Sequence, residues 1–519
     1  MSMESTPFDK AANRYEAEDR DLEAALANIW SIAEENHLDP FPTHFEVVPP
    51  NVISEIGSYG LPERYSHWTH GREYRQIKTM YDWGLSKIYE LVINSNPAQA
   101  YLMENNPPIE NKLVMAHVLA HSDFFKNNKL FAPTRRDMPE AAAHNAVRIK
   151  GYEEQYGKMA VEQLLDATLS IEEHVDPYRP NRPQKEDELR NWREQASRKR
   201  RPHESIPAGQ FDDIFDIASK PVLKVIHDQH TEALHIPPEP DRDILGFIRN
   251  HGPNLQEWQR DVIDIVRSES IYFYPQRRTK IMNEGWAAYW HKRIMREMSD
   301  RNLISDKDNE IWWRQHSGVV APDPKRINPY YLGMKMYEYL EDYYNGTLSA
   351  EENDWLIKEH IPVQPRFEGR LEDSPAIPAL RDIMIHNDDQ SFIRNHFNKI
   401  VADRMDMYIY EERVDFDGEV DYVVIDNGWQ KIRDMLVSSM DNSGMPYITV
   451  VDGDYNNANQ LYLRHEYEGK ALDPDYIKKT LPYIFRLWQK PVHLEARSDK
   501  ANRVYSYDGT EVSEKRISF

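Results

Sequence analysis

Up to about residue 400, apolar positions mostly recur at helical spacing. Leu22, Leu26, Ile29, Trp30 and Ala33 fall at steps of three and four and predict a helix over 9–36. Pro40, Pro42, Pro49 and Pro50 then impose an extended segment, because proline fixes φ and lacks a donor. Residues 88–94 are β-rich and are followed by the turn Ser95-Asn96-Pro97; residues 99–104 run up to Asn105-Asn106-Pro107-Pro108. This reads as a β-hairpin, although a helix over 83–93 fits the same apolar spacing. Helices are expected at 109–128, 138–156 and 158–174, the last ended by Asp176-Pro177. Others are expected at 241–250, 255–274 and 278–299, with Pro275 breaking the line between the last two. Beyond 400 the pattern changes: strands are expected at 414–427, 447–452, 460–467 and 492–497, and helices at 428–440 and 474–488. Asp452-Gly453-Asp454 with Asn456 and Asn457 reads as a hairpin turn, since a calcium loop needs a terminal Glu.

These elements imply an α+β fold that is predominantly helical. A chain of 519 residues is too long for one ordinary core, and four parts are expected. A helical part with the hairpin covers 1–176, a charged proline-rich linker 177–208, a second helical part 209–400, and an α+β domain 401–519.

Charge narrows the partners. The net charge is −23, from 64 basic and 87 acidic residues, which repels phosphate backbones and anionic membranes and argues against nucleic acid. The basic run 198–201 is read as a solvated linker. With no cysteine, a metal site must use His, Asp or Glu. No signal-peptide core marks residues 1–10 and no stretch suits a transmembrane segment, so a cytoplasmic protein is expected.

Candidate chemistry lies in two segments. His117 and His121 are four residues apart, so on a helix both rings face one way and suit a shared cation. Asn283-Glu284-Gly285-Trp286 opens an aromatic-rich helix, where a purely solvated carboxylate would be unusual. His291, seven positions on, shares a face with Glu284.

Together these segments resemble the gluzincin metallopeptidases, which carry HExxH on one helix and an Asn-Glu-Gly-type helix further on. The resemblance implies a gluzincin-like helical body, and a divalent metal, expected to be zinc, held by His117, His121 and Glu284. It also makes the hairpin a natural edge for an extended peptide. Val118 occupies the position of the family's general base and cannot take a proton. Glu173 or His174, at a helix end, is therefore the expected catalytic replacement. Glu140 and His144 form a further i, i+4 pair, suited to supporting the ligands or to a second metal. Arg278, His316 and Tyr330 are expected to contact substrate.

Longer segments resemble the SpoVR-like family, the stage V sporulation protein R group. They are YGLPERYSHW (59–68), YELVINSNPAQAYLMENN (89–106), AHVLAHSDFFKNN (116–128), IEEHVDPYRP (171–180), RRTKIMNEGWAAYWH (277–291) and the stretch 461–496. That resemblance implies a link to spore-cortex peptidoglycan or to stress pathways shared with a PrkA-type serine kinase and a von Willebrand factor A-like protein. Three readings follow. The first is a zinc-dependent hydrolase of peptide or amide bonds acting on a peptide or peptidoglycan-related substrate. The second is a non-catalytic regulator or scaffold with those partner proteins. The third is a two-metal enzyme, although the Glu-x-x-His spacing of that class is missing.

Overall fold

The helix Pro108–Asn127 is buried from Ile109 to Phe125 with no exposed face, although it carries Glu110, Asn111, Lys112, His117, His121 and Asp123. Buried polar side chains at that density need partners, and the surrounding fold supplies most of them, Asp21 for Lys112 and the Met103 carbonyl for Asn111 among them, but leaves His117 Nε2 without a hydrogen bond. The computed structural model describes residues 7–82, 90–178, 236–237, 239–323, 326–369, 373–414, 420–426, 428–498 and 501–517. Two units emerge, residues 1–161 with 272–445 and residues 162–271 with 446–519. The expected linker, apart from 177–178, and the basic run 198–201 lie outside the described residues.

The first unit is a mostly helical body with a small sheet. Strand β1 (Thr43–Val48) runs parallel to β3 (Ala98–Met103), and β2 (Leu91–Ile93) pairs antiparallel with β3, giving the order β1-β3-β2. The hairpin is therefore present, and the extended segment after the early prolines is a strand of the same sheet. Central β3 is buried along nearly its whole length.

Three helices build the core beside this sheet. They are the His-bearing Pro108–Asn127, the Glu-bearing Lys280–Asp300 and the Tyr-bearing Pro329–Tyr344. The last two touch backbone to backbone at Gly285 and Gly333. A Cβ on Gly285 would lie 2.4 Å from the Gly333 backbone, and one on Gly333 would lie 2.2 Å from the Ile281 carbonyl. Only glycine allows that approach. Trp286, Trp290, Tyr337 and Phe392 fill the surrounding core, each fully buried and stabilising by about 1.5–3 kcal/mol or more.

Pro275 does not break its helix. Glu257–Arg278 continues through it for one more turn, losing only the proline's own N–H, and Thr279 Oγ1 donates to the Pro275 carbonyl at 2.7 Å. The interruption falls at Thr279 instead. The hairpin of β4 (Ile409–Val414) and β5 (Val420–Asp426) and the helix Trp429–Met440 also belong to this unit.

The second unit contains a five-stranded mixed sheet of order β10-β9-β8-β7-β6. Its strands are β6 (Ile448–Tyr455), β7 (Gln460–His465), β8 (Val492–Ala496), β9 (Asn502–Tyr507) and β10 (Val512–Ile517). Only β7 and β8 are parallel, and helix Pro474–Trp488 makes the crossover between them. Its Ile477, Leu481, Ile484, Leu487 and Trp488 are buried at helical spacing. At the β6–β7 turn Asp454 accepts from the Asn459 amide at 2.9 Å, as the hairpin reading expects, while Asp452, still in β6, accepts from the Asp454 amide at 2.9 Å. Among the described residues no helix is long and apolar enough to cross a membrane.

Candidate metal centre

The helix Pro108–Asn127 carries His117 and His121 one turn apart, and their rings stand edge to face with centroids 4.5 Å apart. Opposite them, Lys280–Asp300 brings Glu284 from its first turns. That helix start is capped by a residue from another helix: the Asp389 carboxylate accepts from the Ile281 and Met282 amides at 2.9 and 2.8 Å. The cap fixes the helix end, and with it the position of Glu284. Asp123 ties the two helices together by accepting from Trp286 Nε1 at 3.0 Å.

Glu90, Glu284, His117 and His121 form a candidate metal-binding group, with one ligand atom from each lying within 4.8 Å of the others. His121 Nε2 is 3.4 Å from Glu284 Oε2, and His117 Nε2 is 3.8 Å from the same oxygen and 3.6 Å from Glu90 Oε1. Ligands each about 2.0–2.1 Å from a tetrahedral ion stand about 3.3–3.4 Å apart, so these separations need only a slight contraction. His117 Nε2 and Glu284 Oε2 are buried without a hydrogen-bond partner. Such atoms are costly unless something else satisfies them, and a cation between them would do so. Two carboxylates and two neutral imidazoles also balance the charge of a divalent ion. The residues fit the group.

Exposure divides the ligands. The imidazoles of His117 and His121 are 4% exposed, whereas the side chains of Glu90 and Glu284 are each 17% exposed, although Glu284 Oε2, which faces the imidazoles, is itself buried. Burial alone would raise the pKa of Glu284, but the facing His117 and His121 outweigh it and hold the carboxyl well below the usual range. Burial likewise opposes charge on His121, and Glu284 more than compensates, raising its pKa.

The remaining ring nitrogens are also engaged. His121 Nδ1 donates to Asn283 Oδ1 at 2.9 Å, so in the neutral ring Nε2, which faces the centre, is the nitrogen free to ligate. His117 Nδ1 lies 2.7 Å from His291 Nδ1, and His291 Nε2 lies 2.7 Å from His316 Nδ1. Burial, with help from the neighbouring imidazoles, holds His291 well below its ordinary pKa; burial and nearby Lys292 bring His316 to about 4. Tyr330 stacks on His117 with centroids 6.0 Å apart and donates to Glu90 Oε1 at 3.1 Å. Burial first, and then Glu90 and Glu284, push its phenol pKa well up.

The structure thus brings together His117, His121, Glu284, Tyr330 and, through His291, His316. Arg278 is ion-paired with Asp388, the N-cap of helix Asp389–His396. Glu173 and His174 belong to the second unit. There His174 is half-buried beside Arg242, and burial and that cation lower its pKa to about 4. Glu140 and His144 lie on the exposed face of helix Met138–Tyr156. Val118 is completely buried in the core. Sequence reasoning missed Glu90, which precedes β2 and has no helical spacing to the other ligands. Its signal is weak: a lone carboxylate opening an apolar strand.

Comparison with known proteins places the chain. Residues 16–445 match the family described as SpoVR like protein, and residues 446–499 match the SpoVR-like C-terminal domain. The boundary at 445/446 coincides with a crossing between the two structural units. The chain is 30% identical over 506 residues to a protein of Escherichia coli (strain K12) described as uncharacterized protein YcgB, covering 92% of each. No solved structure matches. The chain belongs to the SpoVR-like family.

Proposed function

We propose that this protein is a metal-dependent hydrolase of peptide or amide bonds, with zinc at His117, His121 and Glu284. The reading is carried by one observation: four ligand-type side chains converge, and two of the facing atoms, His117 Nε2 and Glu284 Oε2, are buried without a hydrogen-bond partner. An ion there supplies Lewis acidity and acidifies water at neutral pH. Glu90, held by the Tyr330 hydroxyl, supplies the proton acceptor that Val118 cannot be; once Glu90 has taken a proton, the single phenolic O–H of Tyr330 is released to donate to a substrate oxygen. This is the role first expected of Glu173 or His174. The gluzincin-like arrangement and a peptidoglycan-related substrate belong to the same proposal.

Glu90 also favours a second reading. As a fourth ligand it would close the shell as structural zinc sites are closed, leaving a regulatory or scaffold protein that works with a serine kinase and a von Willebrand factor A-like partner. A screen of peptides and peptidoglycan fragments, with the protein zinc-loaded or chelated and with Glu90→Gln alongside, separates the two. Hydrolysis that needs zinc and disappears in Glu90→Gln while zinc stays bound supports the enzyme. Loss of zinc in Glu90→Gln, with no hydrolysis by the loaded wild type, supports the closed site.

A further inference from the structure

The chain of imidazoles behind His117 has a directional logic. To ligate through Nε2, His117 must carry its proton on Nδ1, which lies 2.7 Å from His291 Nδ1. His291 must then accept at Nδ1 and carry its own proton on Nε2, 2.7 Å from His316 Nδ1. His316 must accept in turn. One choice at the centre sets three tautomers in series, across two helices that are not the one bearing His117: His291 is on Lys280–Asp300 and His316 on Asp306–Val319. Metal-bound histidines ordinarily donate to a carboxylate or a carbonyl. Here the acceptor is a buried imidazole, 2% exposed. A neutral acceptor orients His117 without adding a third negative charge beside Glu90 and Glu284. His316 is itself held edge-on by Trp313, with centroids 5.7 Å apart at 79°, which fixes the far end of the series.

We propose that His291 and His316 are positioning residues that lock the tautomer and orientation of His117, so that a residue touching neither metal nor ligand tunes metal binding. The inference rests on the zinc reading of the quartet.

The test combines zinc affinity, measured by competition with a chelating indicator, with nitrogen NMR of the full chain labelled at histidine. The expected results are a roughly 10–100-fold loss of zinc affinity in His291→Leu and a smaller, several-fold loss in His316→Leu. His316→Gln keeps an acceptor for His291 and should bind zinc within about twofold of wild type. In the zinc-loaded wild type, His117 should show the Nδ1-protonated tautomer and His291 the Nε2-protonated one. The NMR arm uses unmutated protein, so a variant that fails to fold does not shield the proposal. Wild-type affinity in His316→Leu, or the opposite tautomer at His291, overturns the relay while leaving the zinc site standing. Failure of the wild type to bind zinc at all overturns both.

Discussion

Asp123 and Glu284 are carboxylates on packed helices of the same core, and they are treated in opposite ways. Asp123, with no exposed side-chain surface, is saturated: it accepts from Trp286 Nε1, the Asp39 amide, Asn127 Nδ2 and Arg381. Glu284 faces imidazoles and keeps a buried oxygen without a hydrogen bond, while part of its side chain reaches solvent. A saturated carboxylate fastens a fold. An unsaturated one, aimed with three other ligand-type groups at one point, is an arrangement maintained at some cost to stability.

That contrast can be broken at either end. The largest effect on stability is expected from Asp123→Ala, which strands Arg381 and the Trp286 donor; a loss of about 3–5 kcal/mol should appear in urea unfolding of the metal-free protein. Next comes the metal itself. Zinc at about a hundredfold over its dissociation constant should stabilise the wild type by about 2.7 kcal/mol, read as a rise in melting temperature that chelator reverses. Gly285→Ala forces a Cβ against the Gly333 backbone and should cost about 1–3 kcal/mol. It should also weaken zinc binding, because Tyr330, the partner of Glu90, rides on the displaced helix. The smallest effect is expected from Glu284→Gln in chelator. Its carboxylate has the imidazoles as partners, and their hold on it is what lowers its pKa, so the loss should be smaller than that of Asp123→Ala without vanishing.

What could be read in advance follows from the range of the forces involved. The helices at 108–127, 280–300 and 474–488 were legible because their apolar spacing and flanking prolines act locally. His117 and His121 were legible from their spacing of one helical turn, and Glu284 only through the resemblance of its Asn-Glu-Gly segment to the gluzincin pattern. Glu90 was not, since a strand-opening residue reaches the site only through the pairing of β2 with β3. The role of β1 was hidden for the same reason: its partner β3 lies some fifty residues on, and parallel pairing leaves no local mark. Strands β9 and β10 were missed because their outward faces are charged and half-exposed, which blurs the alternation. Helix Lys158–Leu169 stops before the expected 174 because the chain enters turns, with the His174 amide bonding back to Ile171. The glycine contact between helices was invisible too, since a glycine's value there depends on what approaches it.

On the proposed reading, the unsaturated carboxylate and its imidazoles hold a cation. Calorimetric titration of the chelator-stripped full chain with zinc, wild type beside Glu284→Gln, tests it most directly. The account predicts a single zinc bound tightly by the wild type, with Glu284→Gln weakened by more than the roughly 10–100-fold that losing a supporting hydrogen bond costs. Equal binding by both proteins, or none by the folded wild type, would contradict it.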